Sequence, residues 1–281
     1  MDRPMERRTA ARTAVVWDAV RALLDGGSGA DGTSGAEQSI LDIGGGTGGF
    51  AVRLAGLGHR VTVVDPSPDA LAALARRADE DDVSDHVTGL QGDLGNLREL
   101  APEGGVDLVL CHGVLGLVDD PAGALATITS VLRPTGALSL VVNQRHAAVL
   151  ARAMAGHFGQ ARQILDGEPD RPKERGERRF TAEEVAQLLG AAGFTATTTH
   201  GIRVFADLVP SSLLDLEPGA VLGRAPYDGP LRRCRDGSIK GLGRGGRRGE
   251  RPAAAATRPT RRPSDRPEAA AADCRAEVRH A

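Results

Sequence analysis

Residues 39–49 read Ser-Ile-Leu-Asp-Ile-Gly-Gly-Gly-Thr-Gly-Gly, and the next apolar run, Arg60-Val-Thr-Val-Val-Asp65, ends on a carboxylate. Ile40, Leu41 and Ile43 mark a short buried strand. The chain then turns almost wholly on glycine, and a helix is predicted from about Phe50. Glycine permits positive φ and puts no side chain between the main chain and a ligand. The unpaired N–H groups at the helix start face that ligand. In a doubly wound sheet Asp65 then lies beside the turn, within reach of a ribose diol. This stretch is built to hold a nucleoside.

Two ligand classes share such a turn. Gly44, Gly46 and Gly49 fit the G-x-G-x-x-G dinucleotide fingerprint, and Asp65 follows Gly46 by 19 residues, about where an acid is expected. Gly44, Gly46 and Gly48 equally fit the G-x-G-x-G turn of S-adenosylmethionine (SAM) methyltransferases. A third reading is a loop with no ligand. Two more acids favour SAM. Asp42 precedes Gly44 within the strand, and Asp93 follows the apolar stretch 87–92, where an adenine amino group needs an acceptor.

The chain has 281 residues, 41% of them hydrophobic, enough for a globular core. Its charge is divided. Residues 1–220 carry 20 basic and 30 acidic side chains, a net of −10; residues 221–281 carry 15 and 7, a net of +8. All five Phe and the single Trp lie at or before Phe205. The expected domain is therefore 1–219, with 220–281 an Arg-, Ala-, Gly- and Pro-rich disordered tail that cannot bury enough apolar surface to order itself. Cys111, Cys234 and Cys274 have no metal spacing and form no even set, as in a reduced cytoplasmic chain. No apolar run has membrane-span length, and the charged N-terminus lacks a signal core. Neither a metal nor a membrane is expected.

The front part alternates strand and helix. Strands are predicted at about 38–43, 60–65, 86–92, 106–112, 136–143 and 194–205. Helices are predicted at about 8–25, 48–57, 68–79, 95–100, 121–132, 147–166 and 181–192. This pitch specifies an α/β fold, a doubly wound and mostly parallel Rossmann-like sheet.

Further on, Asp107-Leu-Val-Leu-Cys-His112-Gly-Val-Leu-Gly-Leu-Val-Asp-Asp-Pro121 and Ser130-Val-Leu-Arg-Pro-Thr-Gly-Ala-Leu-Ser-Leu140 resemble the fourth- and fifth-strand regions of class I SAM methyltransferases. His112, Leu138-Ser-Leu140, His146, Ala155-Gly-His-Phe158 and Gly201-Ile-Arg-Val-Phe-Ala-Asp207 resemble, more narrowly, the bacterial tRNA 5-carboxymethoxyuridine methyltransferases over about 8–216. Those enzymes methylate the carboxylate of a modified wobble uridine. The resemblance implies that Arg12 reaches the methionine carboxylate of SAM. It places Gly44 and Gly45, with Gly46 beside them, under the methionine and sugar. Asp65 takes the ribose hydroxyls, Asp93 and Leu94 flank adenine, and His112 lines the wall near the sulfonium.

The chain departs from that pattern in three places. Gly116 stands where many of these enzymes carry Glu, and Arg133-Pro-Thr-Gly136 replaces Arg-Pro-Gly-Gly. Their seventh, antiparallel strand, inserted between strands five and six, has no apolar run to match it after Gly219. The expectation is a six-stranded sheet with an unfilled edge, and a tail read out of frame from GC-rich DNA.

Methyl transfer from a sulfonium is an in-line displacement that asks mainly for alignment and desolvation. A carboxylate acceptor is already ionised; a phenol, amine or hydroxyl needs a base, for which His112 and His146 are candidates. Arg203 is suited to pair with an acceptor carboxylate or phosphate. Three acceptor classes stay open: modified tRNA, a small metabolite, or none, if the chain is an NAD or nucleotide-binding protein. The net −10 of 1–220 argues against broad RNA contact. The one basic cluster, Arg171, Lys173, Arg175, Arg178 and Arg179, is diluted by Glu174 and Glu177.

Overall fold

The computed structural model describes residues 4–26, 36–101, 103–166, 178–202 and 274–280. All of them belong to one of the chain's two units, Met1–Asp228 with Ala272–Ala281. Most of the proposed tail therefore lies outside the described residues.

Helix α1 (Pro4–Gly26) leads into β1 (Ser39–Ile43), α2 (Ala51–Ala55), β2 (Arg60–Asp65), α3 (Pro68–Glu80) and β3 (Val87–Gln91). Then come α4 (Leu97–Leu100), β4 (Val106–His112), α5 (Pro121–Val131), β5 (Leu132–Val142), α6 (Arg145–Met154), α7 (Phe158–Asp166), α8 (Ala182–Ala191), β6 (Phe194–Gly201) and β7 (Cys274–His280). Helix starts follow local chemistry. Ser67 caps α3 by accepting from the Ala70 N–H, and Asp120 caps α5 by accepting from the Gly123 N–H, each with proline opening the helix. Thr181 and Glu184 form a reciprocal capping box on α8.

The sheet order is β3-β2-β1-β4-β5-β7-β6, and every pairing is parallel. A parallel sheet must be covered on both faces. One face packs Leu41, Ile43, Val109, Cys111, Leu138 and Leu140 against Leu125 and Ile128 of α5 and Val185 and Leu189 of α8. The other packs Ile40, Val61, Val63, Leu108 and Leu110 against Val16 and Val20 of α1, Leu54 of α2 and Leu74 of α3. The strand order reverses between β1 and β4, and such a sheet binds ligands at the carboxyl ends of its strands there.

The doubly wound parallel sheet is as the sequence predicts, with two corrections. The helix expected over 147–166 is two: Gly156, at φ +79°, ends α6 and lets the chain restart at Phe158. The edge expected to be empty is filled by β7, between β5 and β6. It pairs Ala137 with Arg275 through Val142 with His280 on one side, and Phe194 with Cys274 through Gly201 with His280 on the other. It runs parallel where the resembled enzymes have an antiparallel strand. Residues 203–273 supply far more chain than the dozen or so a parallel crossover needs. The out-of-frame reading rests on a missing strand and loses that support. Pairing on both sides predicts slow hydrogen exchange for the amides of 274–280. Exchange there at the rate of a free peptide would contradict the seven-stranded sheet.

Candidate functional site

The carboxyl ends of the first four strands bring the expected residues to one rim. β1 runs into the glycine turn, where Gly44 has φ +69° and Gly46 φ +56°, a region open to few residues but glycine. The Gly44 N–H donates to the Val64 carbonyl at 2.8 Å, tying the turn to β2. Asp65 closes β2 and is 8% exposed. Its Oδ2 accepts from the Gly46 N–H and its Oδ1 from the Ser67 N–H, each at 2.9 Å. A carboxylate has about four acceptor positions, so two remain for a diol.

Under the turn the backbone is tightly backed. A Cβ at Gly45 would lie 2.6 Å from Asp42 Oδ2, and one at Gly44 would lie 2.5 Å from Val114 Cγ2. On the outer side it is open. Among the described residues, a Cβ at Gly49 would have no atom within 4 Å, and one at Gly46 would meet only Asp65 Oδ2, at 3.9 Å. Closed below, open above and flanked by a carboxylate, these residues fit a ribose-bearing cofactor.

Asp42 sits in β1, 3% exposed. Burial first, and the nearby Asp65 charge second, push its carboxyl up from 3.8 to about 7. The folded state therefore holds this proton more tightly than the unfolded chain. Its contribution to stability is complete below pH 3.8, shrinks as pH rises, and is gone above about 7. Asp42→Asn removes that slope. Between about pH 4 and 7 the variant should gain on the parent by roughly 1.4 kcal/mol for each step of one in pH. Urea unfolding at pH 5 and pH 8 reads the difference; equal pH slopes would contradict it.

Asp93 follows β3 and is exposed. Its Oδ1 accepts from the Gly95 N–H at 2.7 Å, and its own N–H donates to Asn96 Oδ1 at 2.9 Å, so it shapes the loop before α4. Leu94 beside it is 5% exposed. His112 ends β4 and is partly buried. Its Nε2 lies 3.0 Å from Ser139 Oγ, and its ring meets Phe50 edge-on at 5.2 Å. Phe50 in turn lies 6.1 Å from Trp17, and Arg53 stacks over Trp17 at 3.8 Å. These ring contacts carry α1 onto the glycine turn and pack against His112.

The other expected residues lie apart or outside. Arg12 is in α1, but its side chain is outside the described residues, as is all of Arg203. His146 is exposed on the first turn of α6, its Nδ1 a long 3.4 Å from Gln144 Nε2, two residues away. Sequence reasoning gives no role to Ser139, which is fully buried. Its signal is a lone hydroxyl in the apolar run Ala137-Leu-Ser-Leu-Val-Val142. His112 pairs with Val141, so Ser139 is its diagonal neighbour across β4 and β5. Among the described residues no group of three His, Cys, Asp or Glu could hold a metal ion, and no helix is long and apolar enough to cross a membrane.

Residues 40–136 match the methyltransferase domain family, a span from β1 to the start of β5. The tRNA 5-carboxymethoxyuridine methyltransferase of Escherichia coli is 31% identical over 199 residues, covering 70% of this chain and 72% of that one. An uncharacterized methyltransferase of Mycobacterium tuberculosis is 32% identical over 183 residues, 64% of this chain and 63% of that one. Among solved structures, a SAM-dependent methyltransferase from Mesorhizobium loti is similar with a TM-score of 0.49 at 24% identity, over 64% of this chain and 80% of that one. The chain is an enzyme that uses SAM, and it belongs to the class I SAM-dependent methyltransferases.

Proposed function

We propose that this methyltransferase acts on a carboxylate of a modified wobble uridine in tRNA, in the cytoplasm. The supporting observation is the 31% identity to the Escherichia coli tRNA 5-carboxymethoxyuridine methyltransferase along 72% of its length. In this reading Arg12, Asp42, Gly44, Gly45, Gly46, Asp65, Asp93 and Leu94 hold SAM. Asp65 accepts from the ribose hydroxyls with the lone pairs its two backbone contacts leave. Asp93 Oδ2 faces adenine, while Oδ1 stays with Gly95. His112, braced by Ser139 and Phe50, lines the reaction space.

Bound SAM supplies a methyl on a sulfonium that leaves as a neutral thioether. The residues of the chain align the acceptor and keep water out. A carboxylate oxygen arrives ionised, so no proton has to be removed. His112 then acts as a wall rather than a base, in keeping with a ring nitrogen that already faces a buried hydroxyl. His146 and Arg203 remain acceptor-side candidates.

A small-metabolite acceptor is the second reading, favoured by the net −10 of residues 1–220, which offers little to a phosphate backbone. Mass spectrometry of tRNA nucleosides from a deletion strain separates the two. The proposal expects a wobble-uridine methyl ester to vanish and its free acid to accumulate. An unchanged nucleoside profile would favour the metabolite.

A further inference from the structure

We propose that Arg178 binds the anionic group of the methyl acceptor. This deepens the reading above, on which it rests, by naming the residue that recognises the carboxylate.

Three backbone contacts fix where Arg178 lies. Its N–H donates to the Gly116 carbonyl at 2.8 Å, four residues beyond His112 and just past the end of β4. Two residues on, the Phe180 N–H donates to the Asn143 carbonyl, and the Phe180 carbonyl accepts from the Arg145 N–H, each at 2.9 Å. Asn143 and Arg145 directly follow β5. The segment 178–180 is thus stitched across the carboxyl ends of β4 and β5. The glycine turn and Asp65 belong to β1 and β2, so this is the side of the rim left for an acceptor.

The side chain itself is set for an anion. Phe180 is 1% exposed and anchored in the core, and the Arg178 guanidinium lies 5.3 Å over its ring. That contact restrains the guanidinium beside the ring. Its Nε is shielded from solvent and has no acceptor among the described residues. A buried N–H that no described residue satisfies calls for an explanation, and an oxygen of the acceptor supplies one. A guanidinium offering Nε–H and a terminal N–H side by side matches a carboxylate in two parallel bonds.

The neighbouring arginine shows the contrast. Arg145 already grips Glu184 through both carboxylate oxygens at 2.8 and 2.9 Å, and the Arg179 carbonyl at 3.3 Å.

The test titrates full-length enzyme loaded with S-adenosylhomocysteine, comparing the parent with Arg178→Gln and Arg178→Lys. The probes are the nucleoside 5-carboxymethoxyuridine, its methyl ester and uridine 5′-monophosphate. The parent should bind the free acid about ten- to hundredfold better than the ester, the range of a charge-assisted bond. Arg178→Gln should abolish that preference and Arg178→Lys should restore part of it, with S-adenosylhomocysteine affinity unchanged throughout. An intact preference in Arg178→Gln overturns the assignment. Uridine 5′-monophosphate binding as well as the acid would reassign the site to a phosphate and overturn the carboxylate. If the parent binds no nucleoside, the tRNA reading falls, and acetate becomes the probe for Arg178 alone. Acetate should then shift the Arg178 Nε–H resonance, identified by its loss in Arg178→Lys; no shift would overturn the inference by itself.

Discussion

Asp65→Ala is expected to weaken S-adenosylhomocysteine binding by about 1.5–3 kcal/mol, roughly ten- to hundredfold. Two losses combine. The first is direct: the proposed ribose contacts lose a charged acceptor. The second acts through the turn. Asp65 Oδ2 holds the Gly46 N–H and Oδ1 holds the Ser67 N–H, and alanine leaves both donors without their partner. The glycine turn then keeps only its Gly44–Val64 backbone tie to β2, and stability should fall by about 1–3 kcal/mol. Asp65→Asn keeps the shape and one carbonyl oxygen, so it should fall between parent and alanine. Calorimetric titration together with urea unfolding reads both effects. An affinity unchanged in Asp65→Ala would remove this residue from the site.

Gly45→Ala and Gly49→Ala, four residues apart in one turn, should behave oppositely. At Gly45 the new Cβ would lie 2.6 Å from Asp42 Oδ2, 2.7 Å from its Cγ and 3.0 Å from Val63 Cγ1. Neither neighbour can yield. Asp42 is in β1, paired with Val63 of β2 on one side and Leu110 of β4 on the other, and Val63 and Leu110 are both fully buried. The turn must lift instead, costing about 1–3 kcal/mol of overpacking and displacing the cofactor's bed. At Gly49 the Cβ enters open space, and stability should stay within about 0.5 kcal/mol. Equal effects in the two variants would show that the turn is not backed by Asp42 as the structure has it.

The parts of this site that were legible in the sequence are the local ones. Glycines within six residues, a hydrophobic run before them and an acid at the end of the next run sit together in the chain, and the sheet needs only its parallel register to unite them. The Ser139 contact to His112 was not legible, because it joins positions 27 residues apart and depends on the β4–β5 register. Sequence shows only a polar residue where the strand is otherwise apolar. Asp93 was legible as an acid after β3, but its turn-forming bond to Gly95 emerges only from the backbone path. Arg178 was one of five basic residues in a charged loop; its backbone tie to Gly116 emerges only from the fold. The missed strand has a similar cause. Cys274-Arg-Ala-Glu-Val-Arg-His280 alternates charged with smaller residues at the strand period, but it is short and follows a long Arg-, Ala- and Pro-rich stretch. Composition averaged over that stretch hides a period of two.

The central claim is that the glycine turn and Asp65 form a SAM site rather than a dinucleotide site, since the bare fingerprint fits both. The measurement is a side-by-side calorimetric titration of the full chain with S-adenosylhomocysteine and with NAD. Saturable heat with S-adenosylhomocysteine and none with NAD is the predicted result. Saturable heat with NAD alone would contradict it.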